Sequence, residues 1–127
     1  MAEMDAGELA ESKGGSKAIR SAGAMLYRDH ETLDTTMIAA ANALHLVLPT
    51  HQTLQQVLTG DRLSNEEGHL FDHDFTASMM SAHQSMIAAT RDEIAHGSSP
   101  AVVSLARQAL PVLGRHLKLM EDAAASG

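Results

Sequence analysis

From Ser16 to Leu48 the chain contains no proline and a single glycine, Gly23. Within that run Ile19, Gly23, Leu26, His30, Leu33, Met37, Ala41 and Leu44 recur at steps of three or four residues. Such spacing puts them on one face of an α-helix, predicted from about 16 to 45 with Ser16 as its cap. A helix of that length extends roughly 45 Å at 1.5 Å per residue, and burying its stripe requires neighbours of comparable length.

The rest of the chain is punctuated to supply them. An opening helix-prone segment, about 2–13, stops at Gly14-Gly15, and Pro49 ends the long helix. Thr50 is placed to cap a short third helix, about 51–59, closed by Gly60. Ser64-Asn65-Glu66-Glu67 has the S-x-x-E pattern of a capping box and opens a fourth helix, about 65–96, stopped by Gly97. Ser99-Pro100 begins a fifth, about 99–124, with proline in the favoured first turn, and leaves 125–127 as a polar tail. Pro111 lies deep inside that fifth helix, removes a backbone donor and frees the carbonyl of Arg107, which predicts a kink. The kink either serves local packing or aims His116 into the core. The expectation is one all-α domain spanning 1–127, an up-down four-helix bundle with a short extra connecting helix.

Composition narrows the function classes. The apolar residues are mainly Ala, Leu and Met, and the aromatics are only Tyr27, Phe71 and Phe75. A net charge of −7 and so few rings argue against nucleic acid, which needs a basic face or stacking platforms. No apolar run approaches the roughly 20 residues of a membrane span. The acidic, polar opening "MAEMDAGELAE" does not read as a signal peptide, so the chain is either cytosolic or begins after a removed leader. With no cysteine, a metal would have to be held by His, Asp, Glu or Met.

The stretch "MMSAHQSM" (79–86) places His83 in an apolar stripe with Phe75, Thr76, Met79, Met80, Met86, Ile87 and Ile94. His116 shares a face with Leu105, Ala109, Val112, Leu113 and Met120. Counted from the turns at 14–15 and 97–98, Glu3, His30, His83 and His116 lie roughly 18–27 Å along their helices, in one mid-bundle layer. One buried histidine is ordinarily a satisfied core residue. Three at one height with a carboxylate suit a divalent ion in four-coordinate geometry, with Asp29 or the Arg107 carbonyl accepting from an imidazole N–H. Zinc or iron is favoured, and the neighbouring Met79, Met80, Met86 and Met120 keep copper open. The competing account is a metal-free buried His/Glu/Asp network.

Other spacings carry less. Glu66-x-x-His69 and Glu93-x-x-His96 mimic di-iron carboxylate motifs, but they sit at opposite ends of one helix, roughly 40 Å apart. His69-x-x-x-His73 would at most form a surface site. Ser81 and Ser85 near His83 lack the glycine elbow of a nucleophile, and no Gly-rich phosphate loop is present.

"AEMDAGELA", "RDHETLD" and "LP" at 48–49 in the first half, with "FDHDFTASMMSAHQSM" and "LARQALPVLGRHLKLM" in the second, resemble the family catalogued as domain of unknown function 4142. The resemblance spans nearly the whole chain. It implies a ferritin-like bundle, a periplasmic or otherwise exported location, and functional positions at Glu3, Asp29-His30, His83 and His116; Glu3 is thereby preferred over Glu8. No activity comes with it. The combined expectation is a metal-binding envelope protein acting in metal handling or stress protection, rather than an enzyme. The alternatives are a metal-free structural or stress-related bundle and a ferroxidase-like or oxidase-like redox enzyme. A homodimer and the protein partner stay open.

Overall fold

A computed structural model describes residues 2–126. Its elements are α1 (Ala2–Lys13), α2 (Lys17–Ala43), α3 (Leu54–Ser64), α4 (Gly68–His96) and α5 (Pro100–Ser126). The fold is an all-α bundle made of two hairpins, α1–α2 and α4–α5. Helix α2 lies against α5, α1 lies against α4, and α3 connects the hairpins while packing on α1 and α4.

Several boundaries fall elsewhere than the punctuation predicts, each for a local reason. Helix α2 stops at Ala43, before Pro49, because His45 turns into the left-handed region at φ 55°. The Leu46 N–H then reaches the Ala41 carbonyl and closes the helix end. Thr53, not Thr50, caps α3: its Oγ1 accepts from the Gln56 N–H at 3.2 Å, and Gln56 Oε1 accepts from the Thr53 N–H at 2.8 Å. That reciprocal pair is the capping box of the chain. Helix α3 continues through Gly60, since one glycine weakens a helix by only about 1 kcal/mol relative to alanine. Ser64-x-x-Glu67 is not a capping box. Ser64 Oγ and Asn65 Nδ2 both donate back to the Asp61 carbonyl and finish α3 instead. Helix α4 starts behind Glu67 without a side-chain cap, with Gly68 at φ 61° making the turn. Helix α5 runs through Pro111, which is exposed, and extends to Ser126, so 125–126 is helix rather than tail.

The first hairpin is closed by small residues. A methyl group on Gly23 would lie 2.6 Å from the Gly7 carbonyl oxygen and 2.7 Å from Ala10 Cβ. The two backbones approach too closely there for any side chain. Gly23→Ala is therefore expected to destabilise the fold by about 2 kcal/mol in urea unfolding, overpacking outweighing the gain in helix propensity. Unchanged or increased stability would show that the hairpin can spread without cost.

Asp72 ties the hairpins together. Its carboxylate accepts from the backbone N–H groups of Gly15 (2.8 Å) and Ser16 (3.1 Å) in the α1–α2 turn. Asp72→Ala leaves both donors without that partner and is expected to cost about 2 kcal/mol, read as a lower thermal midpoint; Asp72→Asn should retain part of it.

The core contains Ala10, Ile19, Ala22, Leu26, Leu63, Phe71, Phe75, Met79 and Met120, with Phe71 and Phe75 stacked at 5.6 Å. It lies at the level where α1 is present. Helix α1 has 12 residues against 27 in α2. Beyond His30, only Ala41 of α2 is buried, and Met37 and Leu44, two members of the predicted stripe, are exposed.

Candidate metal centre

His30 follows Leu26 by one helical turn, His83 stands between Met79 and Ile87, and His116 between Leu113 and Met120. The same periodicity that buries these apolar residues carries the imidazoles into the interior. Their residual exposures are 6%, 0% and 0%. Ring centroids are separated by 5.1–5.6 Å, and one nitrogen from each ring can be chosen so that all three lie within 4.8 Å of one another.

Partners outside the cluster fix the protons of two rings. His83 Nδ1 lies 2.8 Å from the Met79 carbonyl, an obligate acceptor, so Nδ1 carries the hydrogen. His116 Nε2 lies 2.7 Å from Asp29 Oδ2, so that nitrogen is the donor in the second ring. In neutral imidazoles the remaining nitrogens, His83 Nε2 and His116 Nδ1, are both acceptors. They face each other at 3.4 Å. With His116 neutral, these two lone pairs oppose each other and form no hydrogen bond; only a proton on His116 Nδ1 or an ion would satisfy them. His30 Nε2 is also buried and has no partner. An ion accepting these lone pairs would satisfy nitrogen atoms that the protein does not.

His30 and His83 resist protonation. His30 is lowered from 6.5 to about 4, first by burial and then by His116 and His83, with Asp34 acting in the opposite direction. Burial likewise lowers His83 to about 4, against the opposing effect of the Met79 carbonyl. Both are neutral near pH 7, the state that ligates metals.

Asp29, half-buried on α2, orients a ring from α5, in the manner of the carboxylate behind a metal-binding imidazole. The Met79 carbonyl does the same for His83; the sequence gives no sign of it, because the bond depends on the rotamer within one helical turn. Glu3 is not one of the converging side chains. It is half-buried on α1, lining a cavity of about 500 Å³ whose walls also include Gln52, Met79, Ala82 and Ser85. Among the described residues, the His trio is the group of three or more His, Asp or Glu able to converge on one ion.

The remaining histidine spacings have local partners or open surroundings. His73 pairs with Asp74 at 2.8 Å and His96 with Asp92 at 3.0 Å, all four outside the trio, and His69 is exposed. Glu66, inside the predicted capping stretch 64–67, is a buried carboxyl on the α3–α4 turn. Burial, then Asp74, raise its pKa, while Arg62 opposes them at 3.9 Å.

These features define a class: an all-α helical bundle with a buried three-histidine cluster backed by a carboxylate. The chain belongs to the family described as a domain of unknown function (DUF4142), which matches residues 1–123. No curated protein and no solved structure matches the chain.

Proposed function

We propose that the protein binds one divalent transition metal between His30, His83 and His116. The observation that carries this reading is the convergence of one nitrogen from each buried ring within 4.8 Å, with His30 Nε2 left without a hydrogen-bond partner. Three imidazoles without thiolates suit zinc, with iron the next choice. A bound ion would supply Lewis acidity, and Asp29 would strengthen His116 as a donor. Three protein ligands leave a further position in tetrahedral geometry. Glu3 is the carboxylate we assign to it, on the family resemblance rather than on contact. We assign the protein a role in metal handling or stress protection on the strength of the histidine cluster, and a cell-envelope location on that same resemblance.

Calorimetric titration of metal-stripped, tag-free protein with Zn²⁺ tests the reading. Binding near one ion per chain is expected, abolished in His83→Ala and weakened in Glu3→Gln. A stoichiometry far below one, together with a melting curve indifferent to both chelator and added metal, would leave the cluster a metal-free polar network.

A further inference from the structure

His69 and His73 stand four residues apart at the start of α4, and both are exposed. Side chains at that spacing share one helical face with roughly 5–6 Å between their Cβ atoms, from which two imidazoles can close on a single ion. Asp74 Oδ1 lies 2.8 Å from His73 Nδ1. In the neutral ring that bond puts the hydrogen on Nδ1 and leaves Nε2 with the lone pair, the arrangement of a carboxylate behind a metal-binding imidazole. None of the other exposed histidines, His45, His51 and His96, has a histidine three or four residues away.

We propose that His69 and His73 form a second metal site, on the surface of α4, for a late first-row divalent ion such as Ni²⁺ or Cu²⁺. Imidazole nitrogens suit these ions, and affinity along the row rises towards copper. Charge favours a cation there. The same turns carry Glu67, Asp72 and Asp74, and the cations beside them are already matched: Lys13 lies 4.0 Å from Glu67 and Arg62 lies 3.6 Å from Asp74. The pair differs from the buried trio in kind. It offers two ligands instead of three, and water completes the coordination, so it fills at higher metal concentration and exchanges freely with solvent. An ion across it would also pin the first turns of α4, which begins behind Glu67 without a side-chain cap.

Retention of tag-free protein on an immobilised Ni²⁺–nitrilotriacetate matrix is the test, because that chelate leaves two adjacent coordination positions open and cannot reach the buried trio. The wild-type chain should be held and released by imidazole. His69→Ala and His73→Ala should each pass through unretained, with unchanged helical circular dichroism. His96→Ala removes a histidine that is equally open, at 77% exposure, and should be retained like the parent. A wild-type chain that is not retained would overturn the proposal. So would retention that survives both α4 substitutions, which would place the contact at another histidine. Neither result bears on the buried trio, which the zinc titration reads separately.

Discussion

Metal-stripped protein given zinc at a hundredfold excess over its dissociation constant is expected to melt about 10 °C higher. Binding confined to the folded state stabilises by about 3 kcal/mol at that excess, and a domain of this size gains a few degrees per kcal/mol. The more discriminating variant is His30→Leu. In the metal-free protein His30 buries an Nε2 without a partner, a burden of about 1–3 kcal/mol for a polar atom. Leucine fills similar space with nothing to satisfy, so this variant should be more stable than the parent without metal, by about 1 kcal/mol, and should lose most of the zinc response. Such opposition between stability and binding marks a residue retained for a ligand. If His30→Leu instead destabilises the metal-free protein and preserves the zinc response, His30 belongs to the packing and not to the site.

Acid should unfold the metal-free protein earlier than its zinc-loaded form. His30 and His83 titrate near 4 in the folded state and near 6.5 when unfolded. Between those values the unfolded chain takes up protons that the native rings refuse. Stability is therefore complete above about pH 6.5, declines as pH falls through the window, and the whole contribution is gone below about pH 4. The slope is roughly 1 kcal/mol per pH unit for each histidine. Urea unfolding at pH 7, 6 and 5 reads it directly, and His30→Leu should roughly halve the slope. Zinc occupies the neutral rings, so loading should move the onset of the decline to lower pH. A flat profile from pH 7 to 5 would mean that the rings are hydrated or already paired in solution.

The bundle was legible because α2 and α5 carry clear helical periodicity, and burial follows it around the histidines, through Ile19, Leu26 and His30 in α2 and Leu113, His116 and Met120 in α5. His30, His83 and His116 stood at matching heights by counting residues alone, which works since helical rise is constant. What resisted reading depended on choices among near-equal local options. Ser64 had the residues of a cap and spent its hydroxyl on the turn behind it. Met37 and Leu44 carry the stripe's spacing, yet both are exposed. Glu66 lies in the predicted capping stretch, yet it is buried beside Arg62.

His30 comes from the first hairpin, whereas His83 and His116 come from the second. An ion among them would act as a rivet between two halves that also share the apolar core and the Asp72 and Asp29 bridges. Its main effect would then be on lifetime: the halves could not part without breaking a coordination bond. Deuterium exchange of the amides around Leu26 and Leu113 should slow together on loading, as one cooperative unit.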